Sequence, residues 1–308
     1  MSTLDLGGVM IPAVTPFDPV TGEVDVVGMR ANIRSWLRHP IRGIVVGGST
    51  GEAVLLDEDE RHTLLEGARE VVDQGRLLVA GTGAESTRAT IRLCRRAADA
   101  GVDAVLVQPP AFYRPAMTPE ALATHYRHVA DESPVPVIVY QVPPKFATLD
   151  LPTGLVCELS GHENVVGIKD SRGVLELVGE LVDGCRAGFQ VLVGNGALLY
   201  AALEVGAVGG ILGVANLAPR ASAAIVDAFT EGRTSEAGRL QERVGPLHKS
   251  VVGGMGVAGV KAALDALGSR GGDPRPPLRP LDEAGRGVVE EALRRAGLLQ
   301  QPDGARAD

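Results

Sequence analysis

Lys169 ends a short apolar run, Val165-Val166-Gly167-Ile168-Lys169, that has helix-forming sequence on both sides. Such a run between helical patterns reads as a fully buried parallel strand. Side chains alternate along a strand, so Val165, Gly167 and Lys169 are expected on one face. If that face points into a closed barrel, Lys169 sits at the strand's carboxyl end with its amine aimed into the mouth. Desolvation there disfavours an ammonium. The cost makes chemical sense if a neutral amine serves as the nucleophile that forms a Schiff base with a carbonyl compound. A lone lysine at a strand end more often snorkels into solvent or an ion pair, so other residues must separate the two readings.

Two further groups bear on that choice. Tyr140 ends the preceding apolar run, Val137-Ile138-Val139-Tyr140, and a phenol there could shuttle protons during imine formation. The turn Gly47-Gly48-Ser49-Thr50-Gly51-Glu52 offers backbone N–H groups and two hydroxyls, a nest suited to a small anion such as a carboxylate. It lacks the lysine of a phosphate-binding loop. The plainer readings are a tyrosine bonded to backbone and an ordinary glycine-rich turn. No histidine falls at a strand's carboxyl end. His125 and His128 share a helix face and are expected on its solvated surface, without a third metal ligand nearby. No metal and no cofactor are expected. Cys94, Cys157 and Cys185 lie far apart, a sparse, odd set that suits a reducing cytoplasm; Cys157 and Cys185 read as inert packing residues.

Positioning these groups requires a particular scaffold. Apolar runs at 9–15, 41–47, 77–81, 104–108, 137–140, 165–169, 189–194 and 208–214 read as strands, and amphipathic patterns between them as helices. Eight alternating units in about 230 residues predict an α/β fold, a (β/α)8 TIM barrel with additional C-terminal helices. A doubly wound sheet more often stops at five or six strands. Residues 1–231 are expected to form the barrel and 232–299 a helical extension packed on it, with patterns near 236–250, 255–267 and 282–296. Residues 300–308 read as a disordered tail. Catalytic groups of such barrels lie at strand ends, here Thr15, Phe17, Ser49, Thr50, Gln108, Tyr140, Lys169, Ser171, Asn195 and Ile211.

The formal net charge of −8, without a basic block, argues against nucleic acid or an anionic membrane surface. No apolar run approaches the roughly 20 residues that span a bilayer. Met1 to Gly8 lacks a signal-peptide pattern, so a cytoplasmic protein is expected.

The ordered motifs Gly48-Ser49-Thr50-Gly51-Glu52, Tyr140-x-x-Pro143 and Gly167-Ile168-Lys169-Asp170-Ser171 resemble those of the dihydrodipicolinate synthase / N-acetylneuraminate lyase family of class I aldolases. The likeness runs from Pro12 to the final helices. Several stretches look most like 4-hydroxy-2-oxoglutarate aldolase: residues 80–87, His125-Tyr126 with Val129-Ala130-Asp131, Leu149-Asp150-Leu151-Pro152, and residues 206–210 leading to Ala215-Asn216. The resemblance implies that Lys169 forms a Schiff base with pyruvate or another 2-oxo acid and that Tyr140 relays protons. Ser49 and Thr50 would hold the acid's carboxylate, the Ile211 carbonyl would line the pocket, and Ser171 matches a pocket position. It also implies homotetramers, as dimers of dimers, with an aromatic residue lent across an interface.

Two positions depart from the family pattern. Where dihydrodipicolinate synthase has an arginine for its aldehyde's carboxylate, this chain has Lys145, which brings charge but no bidentate fork. The lent tyrosine falls at Phe112, which cannot pass a proton, with Tyr113 beside it. The expected reaction is retro-aldol cleavage of a 4-hydroxy-2-oxo acid to a 2-oxo acid and an aldehyde. Alternatives are dihydrodipicolinate synthase, 2-keto-3-deoxy sugar-acid aldolase or dehydratase and N-acetylneuraminate lyase. Outside that class stand a non-catalytic 2-oxo acid sensor and a sugar-phosphate barrel enzyme, the latter leaving Lys169 and Tyr140 unexplained.

Overall fold

The computed structural model describes residues 4–147 and 149–300. Eight parallel strands close into a barrel in sequence order: β1 (Gly8–Pro12), β2 (Gly43–Val46), β3 (Leu77–Gly81), β4 (Ala104–Val107), β5 (Val137–Gln141), β6 (Val165–Asp170), β7 (Gln190–Val193) and β8 (Gly209–Ile211). Each passes to a helix on the outside, from α1 (Val26–Trp36) through α2 (Glu58–Arg69), α3 (Thr87–Asp99), α4 (Pro119–Glu132), α5 (Thr153–Leu159), α6 (Leu175–Gly184) and α7 (Leu199–Glu204) to α8 (Pro219–Thr230). Met10, Val45, Val79, Leu106, Ile138 and Leu192 fill the interior. Their neighbours Ile11, Ile44, Leu78, Val105, Val139 and Val191 pack outward among the core that the helices cover. Both faces are apolar, and so the strands read as uninterrupted apolar runs.

Local signals fix the helix starts. Asp57 accepts from Asp59 N–H and Glu60 N–H while Glu60 accepts from Asp57 N–H, a capping box that opens α2. Thr118 accepts from Ala121 N–H, with Pro119 in the first turn of α4. Each cap contributes about 1 kcal/mol. At the bottom of the barrel, Gln190 bonds to Leu6 N–H and Leu4 C=O, which fastens the amino-terminal segment.

The alternation expected along β6 needs a correction. The β5–β6 register shifts between Val137 and Ile138, which face Val165 and Gly167. This bulge puts Val165 in the outer core and Val166 in the interior, so Val165 does not share a face with Lys169. Strand β8 also ends earlier than its apolar run, because Gly213–Asn216 winds into a 3-10 turn.

Beyond the barrel, α9 (Thr234–Leu247) continues into a π-helical turn (His248–Gly253), then α10 (Gly254–Ala266) and α11 (Glu283–Arg295). Gly256 kinks α10 at φ 64°, ψ −146°, a conformation open to glycine. Arg275 pairs with Glu60 at 2.6 Å, which ties this extension to α2. Of the expected tail, 301–308 lie outside the described residues. Burial pushes the Cys94 thiol up to about 11. Cys157 and Cys185, distant in sequence, meet with their sulfurs 2.8 Å apart between α5 and α6. Among the described residues, no helix is long and apolar enough to cross a membrane.

Candidate active site

Strands β5 and β6 bring Tyr140 and Lys169 opposite each other in the ladder. Both face the barrel mouth, and they are 4% and 5% exposed. The lysine Nζ lies 4.2 Å from the centroid of the Tyr140 ring. Among the described residues it has neither an ion-pair nor a hydrogen-bond partner. A carboxylate does sit next door on Asp170, but strand alternation turns it outward. There Arg172 holds it through Nε at 2.8 Å and Nη2 at 2.5 Å. The adjacent acid is thereby spent on fixing the strand end, and the amine is left bare.

The Tyr140 hydroxyl stands 3.3 Å from Ser49 Oγ. Ser49 and Thr50 lie on a 3-10 turn (Ser49–Gly51) that follows β2. That turn is anchored from behind. Thr15 Oγ1 donates to Gly51 C=O at 2.7 Å. Glu52 has left-handed backbone, φ 56°, ψ 32°, the one such non-glycine among the described residues. This conformation is sparsely populated and persists where surroundings enforce it. Its carboxylate accepts from Lys261 Nζ and from Arg275 N–H, each at 2.7 Å. Lys261 also donates to the carbonyls of Thr15 and Asp273 at 2.9 Å. Burial lowers the Lys261 pKa, and Glu52 pulls it back upward.

A cavity of about 990 Å³ opens at this end of the barrel. Lys169, Tyr140, Ser49 and Thr50 line it together with Ser171, Ile211 and Lys145. Gly194, just past β7, leaves the necessary room. A Cβ there would fall 1.8 Å from Ser171 Oγ and 3.2 Å from Lys169 Cε. Lys145 reaches across the mouth and donates to Gly253 C=O of the π-helical turn at 2.8 Å. Among the described residues, no group of three His, Cys, Asp or Glu side chains could hold a metal ion.

The Gly-Ser-Thr-Gly-Glu turn, the tyrosine and the lysine thus converge from β2, β5 and β6, in the order of the motifs. The model of the dihydrodipicolinate synthetase family matches residues 5–296. The chain belongs to this family. It is accordingly a carbon–carbon lyase of the class I, Schiff-base-forming type, which removes the sensor alternative. The chain is 36% identical to a probable mitochondrial 4-hydroxy-2-oxoglutarate aldolase of Emericella nidulans, over 88% of each chain. It is 31% identical to the L-threo-3-deoxy-hexylosonate aldolase of Hypocrea jecorina, over 96% of this chain and 97% of that one. Among solved structures, the 4-hydroxy-tetrahydrodipicolinate synthase of Methylacidiphilum fumariolicum SolV superposes with a TM-score of 0.90 at 31% identity. That match covers 95% of this chain and 96% of the other.

One histidine does not lie where the sequence pattern pointed. His125 is buried, not solvated: it is 5% exposed, its Nδ1 is 2.9 Å from Thr87 Oγ1, and burial brings its pKa down to about 4. It flanks the buried stripe of Leu122, Tyr126 and Val129 on α4, one turn from each of Leu122 and Val129. Phe112 and Tyr113 are 79% and 72% exposed, and neither ring lines the cavity of its own chain. The pairing of Glu52 with Lys261 was not read from the sequence, because the two lie on elements far apart along the chain.

Proposed function

We propose that this lyase cleaves a 4-hydroxy-2-oxo acid of the 4-hydroxy-2-oxoglutarate type to a 2-oxo acid and an aldehyde, with Lys169 as the nucleophile. Its amine attacks the C2 carbonyl, and water leaves as the iminium forms. The iminium then accepts the electron pair released when the C3–C4 bond breaks, while the C4 hydroxyl loses its proton and becomes the aldehyde. Protonation of the enamine and hydrolysis return the amine and release the 2-oxo acid. Tyr140 is the proton carrier, passing protons to and from the substrate oxygen with Ser49 at its hydroxyl. Ser49 and Thr50 hold the C1 carboxylate, Ser171 and the Ile211 carbonyl bound the pocket, and Lys145 serves the distal carboxylate.

The observation that carries this reading is the unpaired Lys169 amine 4.2 Å from the Tyr140 ring, on a side chain that lines the cavity. Lys145 in place of an arginine counts against dihydrodipicolinate synthase activity. Likeness to L-threo-3-deoxy-hexylosonate aldolase and a cavity roomier than a five-carbon acid needs support a second reading, a 2-keto-3-deoxy sugar-acid aldolase. Supplying each candidate acid and following pyruvate or glyoxylate release tests both. Steady product formation from 4-hydroxy-2-oxoglutarate is expected, and none from any hydroxylated 2-oxo acid would contradict the proposal. The exposed Phe112–Tyr113 pair supports an assembly of several copies, read by the mass in solution.

A further inference from the structure

Two of the three cysteines share one place in the fold. Cys157 lies in α5 and Cys185 caps the end of α6, 28 residues further along the chain. Their sulfurs stand 2.8 Å apart, close to the roughly 2.05 Å of a covalent S–S bond. Two thiols gain little from such contact alone, since S–H is a weak donor and sulfur a weak acceptor. The backbone holds them together without their help. Ser160 Oγ donates to Cys157 C=O at 2.6 Å and accepts from Arg186 N–H at 3.0 Å, so one hydroxyl ties the end of α5 to the residue after Cys185. Gly184 leaves room for the approach, because a Cβ there would press on Cys157 Sγ at 3.1 Å. Both thiols are half-buried, within reach of a small reagent. Cys94 differs: it is sealed in the core, with only Thr82 Oγ1 at 3.3 Å from its sulfur.

We infer that Cys157 and Cys185 form an oxidative modification site, where a low-molecular-weight disulfide converts the two thiols into one internal disulfide that fastens α5 to α6. Burial and the neighbouring Cys157 push the Cys185 thiol up to about 12, which leaves Cys157 as the sulfur that reacts first. Its thiolate attacks one sulfur of the small disulfide, the S–S bond there breaks, and one half departs and takes up a proton. Cys185 then loses its proton to solvent and attacks Cys157 Sγ, expelling the second half as a thiol. Held in the mixed disulfide, Cys157 no longer carries a charge that opposes the Cys185 thiolate. In sum two protein thiols are oxidised to one disulfide, and one small disulfide is reduced to two thiols. Helix α5 ends before β6 begins and α6 before β7, so the pair lies at the end of the barrel away from the cavity. The loop it closes contains β6 and α6. Closing it restricts the unfolded chain, and so the link acts on stability.

Equilibrating the reduced, folded protein with oxidised glutathione in mildly alkaline buffer tests the site. Two of the three thiols should be lost, with the peptides of Cys157 and Cys185 joined in a digest made without reductant. The melting midpoint of the oxidised protein should lie about 5 °C above that of the reduced one and fall back when dithiothreitol is added. Cys157→Ser and Cys185→Ser should each form no internal link and show no such rise. Three intact thiols, a glutathione adduct that goes no further, a link to Cys94 or to a second copy, or an oxidised form that melts no higher would each overturn the inference.

Discussion

Two buried lysines occupy opposite sides of the same turn and are used in opposite ways. Lys169 follows Gly167-Ile168 and Lys261 follows Gly259-Val260, so the local sequences are nearly alike. Lys261 is wholly buried and satisfied by Glu52, two carbonyls and the face of Phe17, 4.5 Å from its Nζ. Lys169 has a phenol beside it and no acid. A buried ammonium must be paired and bonded to be tolerated, and Lys261 meets that requirement in full. Lys169 has no acid or carbonyl partner among the described residues, and its amine faces the cavity, where a carbonyl compound can reach it. Lys261 holds the Ser49–Thr50 turn in place, and Lys169 faces the cavity in front of it.

The largest effect that would break this contrast is on turnover. Lys169→Ala should leave the fold intact by thermal melting and reduce steady-state cleavage below about 1% of wild type, because the covalent route is gone. Retention of more than a few per cent would place the amine outside the reaction. Lys261→Met should act on stability instead, lowering the unfolding free energy in urea by about 3–5 kcal/mol, since it strands the Glu52 carboxylate. Combining it with Glu52→Gln should cost clearly less than the sum of the single changes. Strict additivity would mean that the pair is not coupled. Tyr140→Phe should slow imine formation by about 100-fold while substrate binding changes less. If binding alone suffers, the phenol is only a positioning group.

A further effect comes from protons. His125 and His248 are held near 4, below the ordinary value of 6.5. The unfolded chain therefore takes up protons first as the pH falls. Stability is unaffected by these rings above about 6.5 and declines between there and about 4, by up to about 3 kcal/mol for each ring. Replacing His125, which lies away from the cavity, by Gln should flatten the pH dependence of the urea midpoint in that window. An unchanged slope would show that the ring is protonated within the fold.

The barrel was legible in the sequence because its strands are apolar on both faces and glycine, proline and capping residues mark the breaks. Lys169 and Tyr140 were legible as polar groups at the ends of such runs. The bulge at Val165 was not, since one extra residue leaves an apolar run looking unchanged. Neither was the partnership of Glu52 with Lys261, 209 residues apart, because nothing local distinguishes a lysine that finds an acid from one that does not. The place of His248 in the cavity lining escaped notice for a related reason: it sits on a helical segment, and only the fold brings that segment over the barrel mouth. His125 was misjudged because a residue at the border of a buried helical stripe can fall on either side of it.

The most direct test is to trap the protein with pyruvate and borohydride and locate the adduct by peptide mass spectrometry. A single adduct on Lys169 is the predicted result. Modification of Lys145, Lys249 or Lys261 in its place, or no covalent adduct at all, would contradict the assignment of the free amine.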